Sequence, residues 1–109
     1  MSKYMFIYRG PALPLDQVTA AESAAQLAEW LAWETHVGPI LIDDGAPFGD
    51  RASVRDDGFP AETAELQGYG IIAADSLSAA VALAQKHPFL NGRDGRHSVD
   101  VFEIVDLDV

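Results

Sequence analysis

Residues 66–90, reading LQGYGIIAADSLSAAVALAQKHPFL, constrain the possible folds of this chain more than any other stretch. Gln67 to Ala73 is rich in β-branched and aromatic residues and reads as a strand. Ala74-Asp75-Ser76 supplies side-chain oxygens where a helix start needs them, and Pro88 cannot continue the helix that follows. Gly68 and Gly70 fall on one face of the strand, where a backbone or side chain can approach closely. On the helix, Leu77, Ala80, Val81 and Ala84 form an apolar stripe whose small members permit close packing on a sheet. One strand running into one helix buries too little apolar surface alone, so the rest of the chain must cover it.

Lys3 to Arg9 alternates Tyr4, Phe6 and Tyr8 on one side with Met5, Ile7 and Arg9 on the other. Both sides are largely apolar, as in a central strand covered on both faces. Gly10 to Gln17, with Pro11 and Pro14, reads as a loop, and Thr19 or a turn at Asp16 can open the next helix. Ala20 to Val37 has strong helical propensity and ends at Gly38-Pro39. At 100° per residue Leu27, Leu31 and Ala24 share a face with Glu34 on the same arc, Trp30, Trp33 and Val37 form an adjoining flank, and His36 lies opposite. The expectation is that Leu27 and Leu31 pack on the sheet while the tryptophan flank meets a second surface, either a partner subunit or a pocket wall.

Pro39 to Asp50 is a connector with turn signals at Asp43-Asp44-Gly45 and Pro47, and a short extended piece fits Ile40 to Ile42. Arg51 to Asp56 alternates Arg51, Ser53 and Arg55 against Ala52 and Val54 and reads as a half-exposed edge strand. Asp57-Gly58 and Phe59-Pro60 turn the chain, and Ala61 to Leu66 suits either a loop or one helical turn. Asn91 to His97 is a further turn, and Val99 to Val105 is the last strand, with Phe102 and Ile104 on its other face. The order β-α-β-β-α-β implies an α+β, ferredoxin-like sandwich with the first and third strands central and the second and fourth at the edges. Helices can cover one face of such a sheet, so the other face, carrying either Tyr4, Phe6 and Tyr8 or Met5 and Ile7, needs another partner. A symmetric homodimer with sheet faces packed together is the simplest candidate.

At 109 residues the chain fits a single domain, 1–109, and no linker divides it. No apolar run approaches the roughly 18 residues of a membrane span, and MSKYMFIYRGP reads as a first strand instead of a signal peptide. The expectation is a soluble, cytoplasmic protein. With no cysteine, there is no disulfide, thiolate metal site or cysteine nucleophile. A net charge of -10 repels phosphate backbones and anionic membrane surfaces, so neither nucleic acid nor membrane is an expected partner.

The KYMFIYRG start, the WLAW helix segment, the GPILIDDGAPF connector, the GYGIIAADSLSAAVALAQKHPFL run and the closing VDVFEIV strand together resemble the YCII-related domains, a group that includes the DGPF-type proteins. The resemblance covers nearly the whole chain and implies a ferredoxin-like fold and a dimer with sheets facing each other. A few members resemble enzymes acting on small cyclic compounds with a histidine-aspartate pair. Their histidine lies early on the first helix, where this chain has Gln26 and Leu27, so that pair does not carry over. The DGPF signature is altered here to Asp57-Gly58-Phe59-Pro60.

Among residues able to do chemistry, His87 at the end of the second helix is a candidate proton-transfer group, weighed against a histidine that merely suits a helix C-terminus. Glu34 is a candidate desolvated carboxylate, weighed against one leaning out to solvent. Arg51 and Arg55, joined by Arg9, can hold a carboxylate or phosphate ligand, or can protect an edge strand by charge. Asp43, Asp44 and Asp50 can supply oxygens to a cation but lack an EF-hand frame, and a solvated turn accounts for them. Asp75 and Ser76 are assigned to capping. His36, His87 and His97 are too scattered for a helical metal pair, and no P-loop, dinucleotide fingerprint or nucleophile elbow is present. No metal and no cofactor is expected.

The leading expectation is a dimeric YCII-like protein whose interface cleft binds a small organic molecule, with Trp30, Trp33, Tyr69, Arg51 and Arg55 as ligand-binding candidates. Whether it is an enzyme is left open. One alternative is a lyase or isomerase using His87 with a nearby carboxylate; another is a non-enzymatic interaction module.

Overall fold

A computed structural model describes residues 1–12 and 18–107. Pro14, Gln17 and the turn expected at Asp16 lie outside the described residues. The fold is α+β. Its elements are β1 (Ser2–Arg9), α1 (Ala20–Val37), β2 (Leu41–Asp43), β3 (Ser53–Val54), β4 (Pro60–Ala61), β5 (Leu66–Ala74), α2 (Leu77–Gln85) and β6 (Ser98–Ile104), with 3₁₀ turns at Gly38–Ile40 and Pro88–Leu90. Four strands form one antiparallel sheet in the order β2-β5-β1-β6, an arrangement compatible with a ferredoxin-like fold. No helix among the described residues is long and apolar enough to cross a membrane.

The strand-helix unit at residues 66–90 forms as its sequence indicates. Ser76 Oγ accepts from Ala79 N–H at 3.1 Å, and α2 stops at Gln85, short of Pro88. Thr19 performs the same duty for α1, its Oγ1 accepting from Glu22 N–H at 3.1 Å, and Gly38 closes that helix at φ 68° with its N–H on the Glu34 carbonyl. Tyr4, Phe6 and Tyr8 face the helices and are buried with Trp33, Val37, Ile72, Ala74, Ala80 and Ala84. Register places Ile72 opposite Tyr4, and Gly70 and Val101 opposite Phe6, so one continuous layer lies beneath both helices. The other face carries Met5, Ile7, Ile71, Ala73, Phe102 and Ile104. The first four are half-buried by their sheet neighbours, whereas Phe102 is exposed.

Two expectations need correction. The second strand of the main sheet is Leu41–Asp43, paired with Ile72 and Ile71 on β5. It falls where the sequence offers a short extended piece, not at Arg51 to Asp56. Within 51–56 only Ser53–Val54 is strand, and it pairs with Pro60–Ala61 in a separate two-stranded ribbon turned by Asp57-Gly58. Leu41 packs against the core from this edge while Ile42 stays exposed, whereas the charged alternation of 51–56 offers no apolar side chain of that size to bury there. The second correction concerns α1. Leu27 and Leu31 remain 60% and 52% exposed, whereas Trp33 is 7% exposed. The backbone of α1 lies closest to the two 3₁₀ turns and stands off from the sheet. The helix turns its Trp33 and Val37 flank inward: Trp33 meets Phe6 with ring centroids 6.1 Å apart and donates its Nε1–H to the Leu83 carbonyl of α2 at 3.2 Å. In the α2 stripe only Ala80 and Ala84 are buried; Leu77 and Val81 lie at the surface.

Candidate functional site

Trp30 and Glu34 stand one helical turn apart on α1 and therefore share a face. Beneath them Tyr8 comes up from the end of β1. On one side runs the connector Asp44–Pro47, on another the start of β5 at Gln67–Tyr69, and Phe89 closes the end of the space. Together they enclose a cavity of about 400 Å³, within the range that small-molecule sites occupy. A narrow crevice lined by Phe6, Trp33, Leu41, Gly70 and Ile72 adjoins it, sharing Tyr8, Trp30, Glu34 and Asp44. Two other hollows are shallower: one of about 470 Å³ beside Arg51 and Phe48, and one of about 410 Å³ between Trp33, His36 and Lys86.

Glycines hold the connector against β5. Asp43 Oδ1 accepts from Gly45 N–H at 2.8 Å, an Asx turn that puts Gly45 at φ 72° with its α-carbon against the Tyr69 carbonyl. Pro47 bridges to Gly68, and Phe48 N–H donates to the Gln67 carbonyl at 2.9 Å. A β-carbon at Gly68 would stand 3.0 Å from the Ala46 carbonyl oxygen, and one at Gly70 would stand 3.2 Å from the Tyr8 hydroxyl. The close approach expected of these two glycines is therefore made by the connector backbone at one and by the Tyr8 phenol at the other.

Tyr8 is 4% exposed. Its ring touches Trp30 edge-on at 5.1 Å and Phe89 at 5.2 Å. Among the described residues its hydroxyl makes no hydrogen bond. Burial first, and the Glu34 carboxylate second, push the phenol's pKa above its ordinary value, so Tyr8 stays protonated. Neither Glu34 nor Asp44 is paired with a cation among the described residues.

His87 lies against this aromatic wall but lines none of these hollows. It is 1% exposed, with Trp30 and Trp33 ring centroids 4.4 Å away and Tyr8 at 4.8 Å. Its Nδ1 accepts from Phe89 N–H at 3.0 Å and caps the 3₁₀ turn, which leaves the ring proton on a buried Nε2 with no hydrogen-bond partner among the described residues. Burial lowers its pKa from 6.5 to about 4. The consequence for stability follows in sign. Above pH 6.5 both folded and unfolded chains hold His87 neutral; between pH 6.5 and about 4 only the unfolded chain takes the proton, so stability falls with pH. The full loss approaches about 3 kcal/mol. Urea titrations at pH 7.5 and 4.5 are expected to show wild type losing about 2 kcal/mol more than His87→Phe over that interval. Equal losses would remove His87 as the cause.

The remaining candidates are dispersed. Arg51 donates from Nη1 to the Leu66 carbonyl at 2.6 Å, Arg55 pairs with Asp57 at 2.5 Å, and Arg9 pairs with Asp100 at 2.9 Å. Each arginine serves a different neighbour. Tyr69 stacks on Phe48 at 6.0 Å and its hydroxyl reaches Asp43 Oδ2 at 3.4 Å. Trp33 belongs to the core and to the crevice, and Trp30 to the cavity wall. Tyr8, Gln67 and Phe89 were not singled out by sequence as site residues. Only the nearby glycines marked the place, because a phenol inside an apolar strand looks like core until its hydroxyl is located. No family model matches the chain, and no curated protein matches it.

Proposed function

We propose that this chain is a YCII-like, cytoplasmic homodimer that binds a small organic molecule, and that the ligand occupies the cavity between α1, the connector and β5. The observation that carries the reading is the cavity itself, about 400 Å³, walled by Tyr8, Trp30 and Phe89 and bearing the polar groups of Glu34 and Asp44. The compatibility of the sheet order with a ferredoxin-like fold supports the family assignment. The apolar sheet face opposite the helices, with Phe102 half exposed at its edge strand, supports pairing with a second copy. The ligand site lies on the helix side of the sheet and is built by one chain, not between the two sheet faces.

Thermal unfolding against a varied set of small organic compounds tests this. A compound at 100 times its Kd stabilises by about 2.7 kcal/mol, a shift of several degrees for a chain of this size. Wild type is expected to respond to at least one compound and Trp30→Ala to lose that response. A set that moves neither protein, or moves both equally, contradicts the assignment. The lyase or isomerase alternative built on His87 has less support, since one ring nitrogen caps a turn and the other is buried with no partner among the described residues. A pure interaction module would use the open sheet face and leave the cavity empty in the same assay.

A further inference from the structure

We infer that the cavity selects a cation: an organic amine or ammonium compound with an apolar body. This rests on the reading of the cavity as a ligand site. Its lining includes two carboxylates, Glu34 and Asp44, and no lysine, arginine or histidine. A third carboxylate close by, Asp43, is already committed to the Gly45 N–H and the Tyr69 hydroxyl, whereas Glu34 and Asp44 have no cationic partner among the described residues. An anionic ligand would have to approach both carboxylates with its own charge poorly screened. A cation gains from them, and from a chain whose net charge is -10.

Two further features suit an organic cation better than a metal ion. The rings of Trp30, Tyr8 and Phe89 form a contiguous wall, and aromatic faces attract ammonium groups while accepting an apolar body. Among the described residues no group of three or more His, Asp or Glu converges as a metal site would require. Tyr8 adds an independent sign. Its side chain is almost wholly buried, lines the cavity and, among the described residues, leaves its hydroxyl without a hydrogen-bond partner, so an acceptor lone pair is available to a ligand N–H.

Three probes of one shape separate charge from shape: 2-phenylethylamine, 2-phenylethanol and 3-phenylpropanoate, titrated calorimetrically into wild type, Glu34→Gln and Asp44→Asn. The amine is expected to bind wild type about tenfold or more tighter than the alcohol, with the carboxylate weakest, as the loss of a charged hydrogen bond would dictate. At least one variant is expected to lose about tenfold in amine affinity, a larger loss than it shows for the alcohol, with an unfolding transition in urea that shows the variant is folded. Equal affinity for amine and alcohol, or amine affinity unchanged in both variants, overturns the cation assignment and leaves the ligand cavity standing. Failure of all three probes overturns it too, while the ligand site itself falls only if the wider thermal screen is also blank.

Discussion

Phe6→Ala is expected to destabilise the fold by about 3–5 kcal/mol, the cost of deleting a fully buried aromatic ring that leaves a hole. Phe6 is completely buried at the centre of the sheet. Its cross-strand neighbours are Gly70, which has no side chain to move into the space, and Val101, which is too short to fill it. Trp33, the other large contact, is held by its hydrogen bond to Leu83. With total stabilities of ordinary domains near 5–15 kcal/mol, this one change removes a large fraction, and urea unfolding would read it as a lower midpoint at unchanged slope. Met5→Ala, one residue along on the open face, provides the contrast. For a chain on its own it costs about 1 kcal/mol or less, because Met5 is already partly in water. If the open face packs on a second copy, that small cost acquires a dependence on protein concentration. Equal, concentration-independent losses at the two positions would contradict the assignment of faces.

Gly45→Ala is the second large effect. Gly45 has φ 72°, a conformation that costs an L-residue about 1–2 kcal/mol, and a β-carbon there overlaps the Tyr69 carbonyl oxygen and carbon. The obstruction is backbone, so no side-chain rotation relieves it and the connector must move off β5. A combined loss of about 3 kcal/mol is expected. The more specific outcome concerns the cavity. Asp44, Ala46 and Pro47 form one wall of it, so the displaced connector should abolish ligand binding even where the variant remains folded. Gly49→Ala is the control, since a β-carbon at Gly49 meets nothing within 4 Å. If Gly45→Ala bound ligand as Gly49→Ala does, the connector could not be a wall of the site.

These two positions also show where sequence suffices and where it does not. The alternation of Tyr4, Phe6 and Tyr8 against Met5 and Ile7 identifies a central strand, because period-two burial is a local property of the backbone. Which set faces the helices is not local, and only the packed structure assigns Tyr4, Phe6 and Tyr8 to them. Helix α1 misleads for a similar reason. Its apolar arc is wide enough to dock by either flank, and the choice falls to Trp33 and Val37, which pack with Phe6, Ile72 and the α2 alanines while Leu27 and Leu31 stay exposed. The exchange of strand identity between 41–43 and 51–56 is a competition for one sheet edge, which neither segment reveals alone. The site is harder still. Tyr8, Trp30, Glu34, Asp44 and Phe89 come from four separate stretches of chain, and their convergence depends on glycines at 45, 68 and 70 that admit the connector and the phenol.

The stretch at residues 66–90 serves two purposes. Its strand and capped helix establish the sheet and its cover, and its glycines create the space beside Tyr8. His87, the residue in it with the most evident chemical capacity, is spent on capping the turn at Pro88.

A ligand in the proposed site occupies the hollow between α1, the connector and β5. Proton–nitrogen correlation spectra of the labelled protein, recorded during titration with a compound that raises its unfolding temperature, test this most directly. Saturable shifts are expected at the Trp30 indole and at the amides of Gly45, Ala46, Gly68 and Tyr69, with the amides of Phe102 and Ile104 on the far edge strand β6 unchanged. Shifts confined to the open sheet face, or to the hollow beside Arg51, with Trp30 and Gly45 silent, would contradict it.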